Sequence, residues 1–252
     1  MKLVHCLVAT ATLVVSTVDG TLGRHLISND DDSPQAAKAL SCPPNAPQQR
    51  QSPIDLPLLV TPIANKGNYS LVPLAAAGTV THYDDTIKTF WKGGSTLTLN
   101  GRVYTAAQFH HHAPSEHTIN GRHFDLELHF VHADPTGKLA VLGVFFDVFP
   151  GPPNAFLDQF VPGLGLLKKS HDNFTLPIVS AKGFGFEVSN VYRYAGSLTT
   201  HPFTEGVEWS VLTDVQSMSE DQLEAFKRVI HEDNFRPVQC TYGRNVSVIK
   251  TK

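Results

Sequence analysis

The sequence predicts a mainly β (α+β) fold in a single domain, and three observations carry that prediction. From Gln51 onward the chain reads as short apolar segments punctuated by Gly and Pro, a pattern of strands and turns. Ser95 to Leu99 alternates and runs into Asn100-Gly101, a dipeptide suited to a tight hairpin, with Val103 beginning the next strand. Two longer apolar segments, Phe124 to His132 and Leu139 to Val148, are joined by Asp134-Pro135-Thr136-Gly137, which reads as a turn.

The first element is an address. Lys2 gives a positive start, Leu7 to Val18 is predominantly apolar and uncharged, and small or polar residues follow, so residues 1–20 are expected to be a cleaved secretory signal. A buried N-terminal strand or helix is the alternative. The run is too short to cross a bilayer, and no other segment is long enough to do so. Residues 21–50 are polar and broken by Pro34, Pro43, Pro44 and Pro47, a flexible leader. Removing the signal discards Cys6 and leaves Cys42 and Cys240, which in an oxidising compartment either pair or stay as two thiols. Sequons at Asn68, Asn173 and Asn245 agree with a secreted, N-glycosylated chain.

Residues 51–252 show neither repeats nor a linker, so they form one domain. One helix is legible: Ser219 with Gln222 makes a capping box, and Leu223, Phe226 and Ile230 then share a face. Hydrophobic residues make up 41% of the chain and charged residues 17%, an ordinary globular balance. A formal net charge of -3 without a basic patch excludes nucleic acid as a partner.

The chemistry lies in two strands. In Gln108-Phe109-His110-His111-His112, alternation puts His110 and His112 on one face and His111 on the other. In the second strand Glu127, His129 and Val131 share a face, while Leu126, Leu128 and Phe130 point to a core. Antiparallel pairing would place His129 beside the first two. Three neutral imidazoles with no nearby thiolate suit Zn²⁺ with a fourth position open to water, the catalytic pattern. His117, His123 and His132 are assigned to structure or surface.

These residues lie within blocks that resemble the alpha-class carbonic anhydrases. The blocks are Gln51-Ser52-Pro53-Ile54-Asp55, Gln108 to His112, Ser115-Glu116-His117-Thr118, Glu127 to His132, Gly196-Ser197-Leu198-Thr199-Thr200, Glu205 to Trp209 and Asn234-Phe235-Arg236-Pro237. The likeness spans Gln51 to Arg244, and its Ala113 to Gly121 wording is nearer the bacterial and algal-like branch than the vertebrate one. It implies a large twisted, mostly antiparallel central sheet with a few peripheral helices and zinc at the base of a conical cavity. It also implies a zinc lyase that interconverts carbon dioxide and bicarbonate. His110, His112 and His129 fall on the ligand positions, with Gln108 and Glu127 as hydrogen-bond partners of the His110 and His129 rings. Thr199 falls on the hydroxyl that orients the nucleophile, and Glu116 on the carboxylate that fixes the Thr199 hydroxyl. Val131, Val141, Leu198, Thr200, Val207 and Trp209 fall on the substrate pocket.

Three departures stand out. The usual shuttle histidine falls on Asp85, and carboxylates, with ordinary pKa values of about 4, relay protons poorly at neutral pH, so His82, His201 or buffer is left to do so. The cysteine that the resemblance implies after the Thr199-Thr200 block is Phe203, which leaves Cys42 and Cys240 as the remaining intrachain pair. Residues 21–50 also lack the aromatic segment that often precedes the Gln-Ser-Pro block. The rival class is a non-catalytic secreted binding or adhesion protein on the same scaffold. A zinc hydrolase of esters or peptides would need a free carboxylate base, and Glu116 and Glu127 already have other roles.

Overall fold

The computed structural model describes residues 42–44, 49–182, 184, 189–230 and 233–251. The expected signal, 1–20, and most of the leader lie outside the described residues. The strands are β1 (Asp55–Leu56), β2 (Tyr69–Pro73), β3 (Ala75–Tyr83), β4 (Thr86–Phe90), β5 (Ser95–Leu99), β6 (Arg102–His112) and β7 (Thr118–Ile119). They continue as β8 (Leu126–Ala133), β9 (Leu139–Val148), β10 (Asn173–Ser180), β11 (Asn190–Ser197), β12 (Glu205–Leu212), β13 (Gln216–Met218) and β14 (Ser247–Lys250). Among the described residues two short α-helices, α1 (Val161–Leu164) and α2 (Glu220–Lys227), lie outside the sheet.

The main sheet runs β10-β3-β4-β6-β8-β9-β12-β11-β14, with β5 on the first half of β6, β2 on β5, and β13 on β9. The pairings are antiparallel except that β12 and β13 run parallel to β9. The Asn100-Gly101 hairpin forms as expected, Leu99 opposite Arg102, with both turn residues at positive φ. Strand β9 has the expected bounds, whereas β8 starts at Leu126. The reason is local: the Phe124 N–H and C=O are already paired with the Ser115 hydroxyl and N–H, so Phe124 cannot join the ladder.

A register shift in β6, between Ala106 and Gln108, sets up the site. Before it, Tyr104 and Ala106 point into the larger core; after it, Phe109 does so, and Gln108, His110 and His112 turn to the opposite face. In that core Phe109 meets Trp91, Phe130, Phe156 and Phe160 with ring centroids 5.0–5.6 Å apart, each such pair adding about 0.5–1.5 kcal/mol beyond its buried area. Helix α2 carries the expected capping box, and its Phe226 ring lies 4.6 Å from that of His111, bracing the back of β6. The second core, around Val131, Val141, Phe145, Val207 and Trp209, lies on the opposite side. Cys42 and Cys240 form a disulfide that ties the leader to the C-terminal segment.

Candidate metal centre

Antiparallel pairing of β6 with β8 sets His110 directly opposite His129 and His112 opposite Glu127. One nitrogen from each of His110, His112 and His129 lies within 4.8 Å of the other two. The opposite nitrogen of every ring is tied outward. His110 Nδ1 donates to Gln108 Oε1 at 3.0 Å, His112 Nδ1 to the Asn234 carbonyl at 2.8 Å, and His129 Nε2 to Glu127 Oε1 at 2.8 Å. These acceptors fix the tautomers, leaving the lone pairs of His110 Nε2, His112 Nε2 and His129 Nδ1 turned toward one another. Burial, reinforced by the neighbouring histidines, holds His110 well below the usual imidazole range, and burial lowers His129 against the pull of Glu127. Neutral imidazoles are the form that a metal takes.

The buried His112 Nε2 has no hydrogen-bond partner, and neither has Glu116 Oε2, which lies 3.5 Å from it and 3.6 Å from His129 Nδ1. An unpartnered buried His112 nitrogen facing the free nitrogens of His110 and His129 fits a divalent cation. The donor set, three imidazoles without sulfur, fits zinc with an open position.

Glu127 is the hub behind the ligands. Its Oε2 accepts the backbone N–H groups of Glu116 and His117, both at 2.9 Å, and its Oε1 accepts His117 Nδ1 and His129 Nε2, both at 2.8 Å. Burial opposes its charge, yet His117 and His129 hold its carboxyl well below the usual range. Because His117 Nδ1 donates to Glu127, its Nε2 accepts from the Tyr194 hydroxyl at 2.6 Å, and that oxygen contacts Ser52 Oγ at 2.9 Å. His117 is thus a buried structural residue, one of its two expected assignments, and a link in the chain that orients His129. Ser52, Tyr194 and Asn234 also support the site, and no periodicity marked them. His123 and His132 bond the Ser115 and Phe130 carbonyls away from the triad.

A cavity of about 990 Å³ opens over the triad, lined by Gln108, Glu116, Val131, Val141, Leu198, Thr199, Thr200 and Trp209 among others. Two expectations need correction. Val207 is buried in the second core and does not line the cavity. Glu116 does not accept from Thr199: its Oε1 takes the Arg236 N–H at 2.9 Å, and its Oε2, without a hydrogen-bond partner, turns to the imidazoles. Of the relay candidates, Asp85 and His201 line the cavity. His82 does not, because alternation along β3 puts it on the side of buried Val80.

A family model described as eukaryotic-type carbonic anhydrase matches residues 36–250. Alpha carbonic anhydrase 4 of Arabidopsis thaliana is 36% identical over 200 residues, 78% of this chain and 73% of that protein. Among solved structures, the alpha-carbonic anhydrase from Thermovibrio ammonificans, in complex with the inhibitor sulfanilamide, superposes with a TM-score of 0.69 at 36% identity, covering 80% of this chain and 87% of that one. Dioscorin complexed with ascorbate superposes with a TM-score of 0.72 at 29% identity, covering 80% and 86%. With its strand register, histidine triad and near full-length match in agreement, the chain belongs to the eukaryotic-type carbonic anhydrase family.

Proposed function

We propose that this chain holds a single Zn²⁺ through His110, His112 and His129 and catalyses the reversible hydration of carbon dioxide to bicarbonate and a proton. The observation that carries the reading is the triad's polarity: three outward nitrogens bonded to acceptors and three inward lone pairs facing one point. Bound zinc supplies the Lewis acid that, in carbonic anhydrases, lowers the pKa of its water to about 7.

The protein's own residues do the rest. Val131, Val141, Leu198 and Trp209 offer an apolar wall to a substrate with almost nothing to hydrogen-bond. Thr199 and Thr200 line the same cavity, and in this reading their hydroxyls meet the reacting oxygen. Gln108 and Glu127 keep the ligand rings in their tautomers, and Glu127 adds a negative charge that raises the basicity of His129. Exposed His201, at the cavity mouth, is the imidazole placed to pass the proton to buffer, since Asp85 occupies the other rim position.

The chain is proposed to be secreted and N-glycosylated. The apolar N-terminal run, the Cys42–Cys240 disulfide and the exposure of Asn68, Asn173 and Asn245 support this. Stopped-flow carbon dioxide hydration tests the catalytic reading. Hydration well above the buffer rate is expected, abolished by a chelator or a sulfonamide and, after chelation, restored by zinc. Zinc-loaded protein no faster than buffer would favour a binding protein on this scaffold.

A further inference from the structure

The turn that carries Thr199 and Thr200 is closed by two backbone bonds, Leu198 N–H to Thr204 O at 3.0 Å and Phe203 N–H to Thr200 O at 2.8 Å. Phe203 sits in it at a φ of 60°, a left-handed conformation that an aromatic residue adopts only when its surroundings enforce it. Those surroundings are visible. The Arg236 guanidinium lies 3.9 Å from the centroid of the Phe203 ring. Its Nη1 donates to Gln51 Oε1 at 3.0 Å and to the Ser52 carbonyl at 2.6 Å. Gln51 Nε2 in turn donates to the Phe203 carbonyl at 3.2 Å. The backbone N–H of the same Arg236 holds Glu116 Oε1 at 2.9 Å.

We propose that Phe203 and Arg236 are positioning residues, and that the stack of the guanidinium on the ring holds the Thr199–Thr200 turn in place relative to Glu116 and the histidine triad. The arrangement replaces a covalent tether. Phe203 stands where the resemblance implies a cysteine, and the disulfide runs instead from Cys42 to Cys240, in the same C-terminal segment as Arg236. That disulfide therefore reaches the turn through the stack. A planar guanidinium suits this role and an ammonium does not, because only the former can lie flat on a ring while bonding two oxygens at its edge. The effect on turnover rests on the reading of Thr199 and Thr200 as substrate-facing groups; the effect on the turn itself does not.

The test combines amide hydrogen exchange at Leu198 and Phe203 with carbon dioxide hydration kinetics, on zinc-loaded full-length protein. Phe203→Leu and Arg236→Lys are each expected to speed exchange at the Leu198 amide and at the residue-203 amide about fivefold to tenfold, the range of a partly desolvated cation–π contact. They should lower kcat/KM by a similar factor, with zinc content unchanged. Phe203→Tyr, which keeps the ring, is expected to restore both readouts, and the double variant should be little worse than either single one. Exchange in Phe203→Leu indistinguishable from wild type would overturn the proposal, and that variant alone decides if Arg236→Lys does not fold. Wild-type protein without hydration activity would count against the catalytic reading, and the stack would then be judged on exchange alone.

Discussion

Glu127 accepts four hydrogen bonds in a space that Gly143 leaves open on the neighbouring strand. A Cβ at Gly143 would lie 2.9 Å from Glu127 Oε1 and 3.3 Å from Val211 Cγ2, and the carboxylate is too firmly bonded to move aside freely. Gly143→Ala is therefore expected to disturb the His129 partner and weaken zinc binding by about tenfold or more, the usual scale for damage to a ligand's supporting hydrogen bond. Competition with a chromophoric chelator measures it, and unchanged affinity would contradict the role given to Glu127. At this scale the ligands were legible and their supports were not. His110, His112 and His129 declare themselves by alternation along two strands. His117, Tyr194 and Ser52 come from three separate segments, and only tertiary packing makes them a chain. Glu116 shows the same limit: its identity was readable, but which groups its two oxygens meet depends on how the C-terminal segment folds over it.

Strands β6 and β8 carry histidines on both faces, and burial lowers the pKa of His110 and His129 on one face and of His111 and His132 on the other. Behind the triad, burial pushes His111 and His132 down to about 4, against an ordinary 6.5. Their folded pKa lies below the unfolded one, so the unfolded chain binds the extra protons as pH falls. Stability is thus intact above about 6.5 and is lost progressively toward about 4, by up to about 3 kcal/mol for each residue. Urea denaturation midpoints should fall steadily from pH 7 to pH 5, and His132→Gln should flatten that slope; equal midpoints in the parent chain at the two pH values would contradict this account. The elements themselves were largely legible, because Asn100-Gly101, Asp134 to Gly137 and the Ser219 capping box are local signals. The β6 bulge was not. Nothing in Thr105-Ala106-Ala107-Gln108 announces an extra residue, yet it sets Tyr104 and Phe109 into one core while Gln108 and His110 face the cavity.

Across the whole molecule, one twisted sheet separates two tasks. One side packs the larger aromatic core, and α2 seals it behind His111; the other lines the cavity and holds the triad. The C-terminal segment then closes the site from outside, with Asn234 on His112, Arg236 on Glu116 and Phe203, and Cys240 bonded to Cys42. In a chain-entropy view, a disulfide that closes so long a loop contributes about 2–5 kcal/mol, which bears directly on the segment that orders the ligands. Fold class could be read from strand punctuation and motif order, whereas the long-range closure by residues 233–251 could not, since its partners lie more than a hundred positions away.

The central claim is that three inward imidazole nitrogens grip one cation, and elemental analysis of zinc after exhaustive dialysis tests it most directly. About one zinc per chain is expected for the parent protein, and a large loss for His112→Ala with the far-ultraviolet dichroism of the sheet retained. A metal-free parent protein, or a His112→Ala variant that keeps its full zinc, would contradict it.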